Sequence, residues 1–166
     1  MSNNAPHNDV YIYTINEAGR SRRLATLLPE EITRQHGLKT YAIVGEFTQA
    51  EGEEETFKVN PAYIEFLSWA IAKHAPHCPS LQAKVAEKQN GNLLINDLRG
   101  HLSGAEITEE DVIGMVEIKD GKLIRYAGNK NYRPFSQHGF MLLEPWLNQK
   151  IREELMEQVS LPGDVE

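Results

Sequence analysis

The stretch Asp111 to Tyr132, DVIGMVEIKDGKLIRYAGNKNY, constrains the fold more than any other part of the chain. Two β-prone runs, Val112–Lys119 and Lys122–Ala127, flank Asp120-Gly121, a dipeptide suited to the tight turn of a β-hairpin. A two-residue turn sets Lys119 opposite Lys122, a like-charge pair, and scatters apolar residues over both faces. A three-residue Lys119-Asp120-Gly121 loop, with Gly121 in the left-handed conformation of a bulge, pairs Ile118 with Lys122 instead. Val116, Ile118, Ile124 and Tyr126 then share one face, and Glu117, Leu123 and Arg125 the other. This register separates apolar from polar more cleanly, so it is the one expected.

The remaining pattern extends outward from this hairpin. Val10–Ile15 is β-branched and aromatic and reads as a first strand ending at Asn16 to Gly19. Ser21 then reads as the cap of a helix carrying Leu24, Leu27, Leu28 and Ile32 at helical spacing, with a restart at Pro29 and an end at Gly37. Lys39–Thr48 reads as a second strand. An acidic turn with Glu51, Glu53, Glu54 and Glu55 leads to a short return strand, Phe57–Val59. The charge run lacks the fixed oxygen-ligand spacing of a calcium loop and reads as solvated.

Asn60-Pro61 is a helix start, with a capping side chain followed by proline where its missing N–H does no harm. Tyr63, Phe66, Leu67, Ala70, Ile71 and His74 then form one stripe, which predicts the central core helix over 61–74. Pro76 and Pro79 close it. A shorter polar helix covers Ser80 to Gln89, and Asn92–Leu98 reads as a third strand. Beyond the hairpin, Gly128 to Gly139 is a dense polar loop. Pro145 then opens a last helix through Leu147, Ile151, Leu155 and Val159.

This order predicts an α+β fold: a mainly antiparallel sheet of about five strands with helices packed on one face. Residues 1–9 are expected to form a disordered N-terminal tail, 10–160 a single α+β domain, and 161–166 a C-terminal tail. At 166 residues the chain is long enough to bury a substantial core.

Charge and composition narrow the function classes. The formal charge of −7 and the pI near 5.4 argue against non-specific binding to nucleic acid or to an anionic membrane. Cys78 is the single cysteine, so no intrachain disulfide forms and an oxidising compartment is not implied. The N-terminal residues lack the basic and apolar regions of a signal peptide, and no apolar run reaches membrane-spanning length. A cytoplasmic protein is expected.

Phosphate-binding glycine loops, dinucleotide fingerprints and nucleophile elbows are all missing from the sequence. His74, His77 and Cys78 form an H-x-x-H-C cluster of zinc-type donors. Pro76 interrupts it and no fourth ligand is evident, so no metal site and no cofactor are assigned. The best enzymatic constellation places Asp97, His101 and His138 as acid–base candidates. Arg99, Asn129, Lys130, Asn131, Tyr132 and Arg133 are the substrate- or partner-binding candidates, the cations being suited to a carboxylate or phosphate. The bland reading pairs Asp97 with Arg99 and leaves the loop to satisfy its own backbone. Arg20, Arg22 and Arg23, the sole basic cluster, face either an acidic partner or the Glu-rich loop.

Two functions fit these residues. The first is a non-catalytic binding module that docks a protein partner or self-associates; one form of it is an inhibitor or immunity-type protein that neutralises a basic enzyme. The second is a small hydrolase or transferase using a His/Asp pair on an anionic substrate. It predicts Asp97, His101 and the 129–138 loop around one concave pocket. The binding module asks less of the sequence and stands first.

Overall fold

In the computed structural model, the described residues are 10–17, 19–49, 52–102, 104 and 108–161, without the side chains at 17, 20, 101 and 102. The expected N-terminal tail, Glu51 of the acidic turn and residues 162–166 of the expected C-terminal tail lie outside them. The chain divides into two units, one built on Leu67–Ile151 and the other on Asp9–Phe66 with Arg152–Glu166. The divisions fall inside the two longest helices.

The second unit holds a four-stranded antiparallel sheet. Strand β1 (Tyr11–Glu17) turns at Gly19, whose φ is +78°, into β2 (Arg20–Thr26). The helix expected from Ser21 onward is therefore replaced by a strand. The leucine spacing imitates a helix, but Leu24 lies on β2, and Leu27 and Leu28 lie in the bend after it. Ile32 belongs to the later helix α1 (Glu30–His36).

Long-range pairing explains the override. β2 is flanked on both sides, by β1 and by β3 (Ile43–Thr48), so its backbone groups find sheet partners. Arg22 and Arg23 find carboxylates on the same sheet and beside it. Arg22 donates to both oxygens of Glu46 at 2.8 Å, and Arg23 meets Glu55 at 2.6 Å. The Glu-rich segment thus answers part of the basic cluster. In a helix N-terminus the same charges would oppose the macrodipole.

Thr26 fixes the end of β2, its buried hydroxyl donating to Ala42 O at 2.6 Å and accepting from Leu28 N at 3.2 Å. α1 follows Pro29 and stops at Gly37 (φ +82°), as expected. A 3-10 turn at Thr40–Ala42 occupies the start of the expected second strand before β3. β4 (Thr56–Val59) completes the sheet. Asn60 then behaves as the sequence indicates. Its Oδ1 accepts from Ala62 N at 3.2 Å, and its Nδ2 ties the helix start to Thr40 O and Ile43 O at 2.8 and 2.7 Å. Helix α2 (Pro61–His74) buries Tyr63, Phe66, Leu67, Ala70 and Ile71 of the predicted stripe.

The first unit carries α3 (Pro79–Lys88), β5 (Gly91–Asn96), the short helix α4 (Arg99–Leu102), β6 (Val112–Lys119) and β7 (Lys122–Gly128). A two-residue ladder of β8 (Phe135–Ser136) and β9 (Gly139–Phe140) follows. Helix α5 (Pro145–Ser160) then buries Leu147, Ile151, Leu155 and Val159.

The hairpin forms, but in the other register. Asp120 and Gly121 both have positive φ, +52° and +73°, and close a two-residue turn with Lys119 opposite Lys122. A shift then falls in β7, where Ile118 opposes Leu123 and Glu117 opposes Arg125. Ile124 is the extra residue of this bulge and is 51 % exposed, so Leu123 takes the place expected for Ile124. Val116 opposes Tyr126 rather than Ile124, and Arg125 meets Glu117 on the other face at 3.2 Å. A bulge inside the strand, rather than a wider turn, sorts apolar from polar.

The fold is α+β, with antiparallel sheets of four, three and two strands among the described residues. This corrects the expectation of one sheet of about five strands. After β4 the chain runs through α2 and α3, and β5 then pairs with β6 to start a separate β5-β6-β7 sheet.

A buried carboxylate–arginine network as the candidate functional site

The candidate residues that meet do so inside the first unit, where β5 ends. Asp97 follows β5, and its backbone N–H donates to Asp111 O at 2.7 Å. Its side chain is fully buried. Oδ1 accepts from the N–H of Arg99 at 2.9 Å, both oxygens lie 3.1 Å from the N–H of Leu142, and Oδ2 accepts the Tyr132 hydroxyl at 2.6 Å.

Arg99, at the start of α4, is equally committed. Its Nε meets Asp111 Oδ1 at 3.1 Å and lies 3.7 Å from Asp97 Oδ2. Nη1 donates to Gly139 O at 3.1 Å and Nη2 to Arg133 O, while the guanidinium lies over the Tyr132 ring, 5.6 Å from its centroid. Asp111 closes the circuit. It ends the 3-10 turn Glu109–Asp111, where Thr108 donates its N–H and its hydroxyl to Oδ2, both at 3.2 Å.

The pKa values of the two carboxyl groups are shifted in opposite directions. Burial dominates at Asp97 and pushes its pKa above the ordinary carboxylate value, although Tyr132, Arg99 and the Leu142 N–H pull the other way. Burial also pushes Asp111 up, but the Thr108 N–H and the Arg99 guanidinium outweigh it and hold its pKa below the ordinary value.

The outer residues of the loop 129–140 rest on this network. Asn129 Nδ2 donates to Glu109 O and Val112 O at 3.0 and 2.8 Å, and its Oδ1 accepts from Asn131 N at 3.0 Å. Asn131 reaches Glu109 Oε2 at 3.1 Å. Lys130, Asn131 and Arg133 are exposed. The Phe135 and Phe140 rings meet at a tilt of 53°, with centroids 4.6 Å apart, and hold the loop's far end.

Asp97, Arg99 and Tyr132 are thus brought together, as the bland Asp97–Arg99 pairing anticipates in part. His138 sits in the turn between β8 and β9. It lines a cleft of about 380 Å³ with Thr108, Glu109, Glu110, Asn131 and Gln137, and neither Asp97, Arg99 nor Tyr132 belongs to that lining. His101 lies on α4, and its side chain is outside the described residues. The pocket expected around Asp97, His101 and the 129–138 loop involves the His101 side chain, which is among those not described.

Asp111 and Thr108 are the members that the candidate set omits. The available signal is the spacing Thr-x-x-Asp ahead of an apolar run, the pattern of a capping box. The H-x-x-H-C cluster does not assemble. Cys78 Sγ lies 3.8 Å from Glu144 Oε2 and 3.5 Å from Ser80 Oγ, and among the described residues no group of three or more metal-type side chains converges. Nor does any helix among them have the length and apolarity to cross a membrane. Comparison with protein-family models, curated proteins and solved structures gave no match.

Proposed function

We propose that the chain is a non-catalytic binding module that docks a protein partner through its loop 129–140. The observation that carries this reading is the state of Asp97. A general base needs a free acceptor within reach of a substrate proton. The two Asp97 oxygens accept from Arg99, Leu142 and Tyr132, and the side chain has no exposure. The group best placed by sequence for acid–base work is a fastener. What it fastens is a loop that presents Lys130, Asn131 and Arg133 outward on a fixed backbone, and such preorganisation lowers the ordering cost of docking.

Arg is a typical anchor of protein interfaces, and the exposed Lys130 and Arg133 favour an acidic surface on the partner. A reduced cytosolic setting agrees with the single free cysteine. The test is affinity capture from the native host with the wild-type chain beside Arg133→Glu and Lys130→Glu. A partner held by the wild type and released by either variant supports the reading. No retained partner, together with a monomer in light scattering, would overturn it.

A further inference from the structure

The geometry points to a second site, for a small carboxylic acid with an apolar body, in the pocket between the 75–85 segment and the hairpin turn. This goes beyond partner docking and does not depend on it. The pocket has a volume of about 270 Å³ and is lined by Ala75, Pro76, Gln82, Val85, Gly121, Lys122 and Leu123. That is just below the ~300–1,000 Å³ common for ligand sites, and it suits a single ring or a short chain.

Its chemistry is one-sided. Ala75, Pro76, Val85 and Leu123 make apolar walls, and Lys122 is the only ionisable residue of the lining among the described residues. The hairpin register adds an independent reason for an anion. Lys122 sits directly opposite Lys119, both exposed, and neither has an ion-pair partner among the described residues. Like charges placed across a ladder repel, and a carboxylate beside them converts the repulsion into attraction. Gln82, the other polar residue, already donates its amide to Pro76 O at 2.9 Å.

The frame is held before any ligand arrives. Gly121 N donates to Gln89 O at 2.8 Å, and Asp120 N to Asn90 Oδ1 at 3.1 Å, so the turn is tied to the segment between α3 and β5. Gln89 itself has φ +71°, and its side-chain amide nitrogen would lie only 3.0 Å from a Cβ on Gly121. The turn therefore cannot swing away without breaking these bonds. Preformed walls with one cationic edge select an acid over an amine of the same shape.

The experiment is an amide NMR titration of the full chain with benzoate, benzylamine and benzyl alcohol. Benzoate is expected to give saturable shifts at Ala75, Gln82, Val85 and residues 121–123, with benzylamine giving none. Lys122→Gln, an exposed change that spares the fold, weakens benzoate about tenfold, the scale of one lost charge contact. Gln82→Trp, at another exposed lining position, fills the mouth and removes the shifts. Equal binding of all three probes, shifts confined to other residues, or full affinity in Lys122→Gln would each overturn the assignment.

Discussion

Tyr132 donates its hydroxyl to Asp97 Oδ2 at 2.6 Å across 35 residues of chain, with both side chains buried. That bond joins the end of β5 to the middle of the polar loop. Removing it strips a donor from a buried carboxylate, which costs about 1.5–3 kcal/mol when the acceptor is charged. Tyr132→Phe is expected to lower unfolding stability by that amount in urea titration. Tyr126→Phe is the control. Its hydroxyl donates to the Ile113 carbonyl at 3.2 Å, a neutral acceptor, and about 0.5–1.5 kcal/mol is expected. Equal losses in the two variants would mean that Asp97 gains nothing special from Tyr132.

Arg99 neutralises Asp111 and stands beside Asp97, so its removal strands charge in the core. Arg99→Met is expected to cost about 3–5 kcal/mol, the range for breaking a buried ion pair from one side. Part of that loss should return in Arg99→Met/Asp111→Asn, because the stranded carboxylate has gone. The carbonyls of Arg133 and Gly139 also lose their donor. Amide exchange at 133–142 should therefore quicken beyond the global change. A cost below about 1 kcal/mol, with exchange unaltered, would show that the network does not hold the loop.

The opposed pKa shifts give a pH dependence with a definite sign. Asp111 has its folded pKa held below the ordinary value of 3.8, so its contribution is present above that pH and is lost as pH falls through the lower folded pKa. Asp97 is raised above 3.8, so it contributes below that value and the contribution fades as pH rises through its folded pKa. Asp111→Asn should flatten the acid limb of the stability curve below pH 3.8, where the wild type falls. Asp97→Asn should act instead on the limb above it. Stability measured by urea titration across this range checks both, and identical limbs in the two variants would refute the assignment.

The hairpin register makes its own prediction. Lys122→Glu turns the pair with Lys119 into an attractive one and should add about 0.2–1 kcal/mol. In a three-residue loop, position 122 would face Ile118, and the same change would add nothing.

Much of this fold was legible locally, and the site was legible only in part. Asn60-Pro61 and Asp120-Gly121 mark their elements because capping and positive φ are set by neighbouring residues. Arg20–Thr26 misleads because its strand state depends on β1 and β3 on either side, and on Glu46 and Glu55 far along the chain. Asp97 and Arg99 are adjacent enough in sequence to suggest a pair. Tyr132 and Leu142 complete the carboxylate's shell from 35 and 45 residues away, and no local pattern announces that. The bulge at Ile124 is likewise a consequence of packing the sheet face, not of the turn sequence.

Gly128 faces Ser68 of α2 so closely that a Cβ at 128 would overlap the serine Oγ. The glycine has no positive φ there, so the demand is for space rather than for a special backbone. Gly128→Ala should therefore destabilise by about 1–3 kcal/mol, the usual cost of overpacking. Ser68→Ala removes the obstructing oxygen and leaves the serine Cβ 3.2 Å from the new methyl, a tight but adjustable contact. The double variant should recover more than half of the loss. A double-mutant cycle measures this as a coupling of about 0.5–3 kcal/mol between the two positions. Additive losses would mean that β7 and α2 do not approach each other at this point in solution.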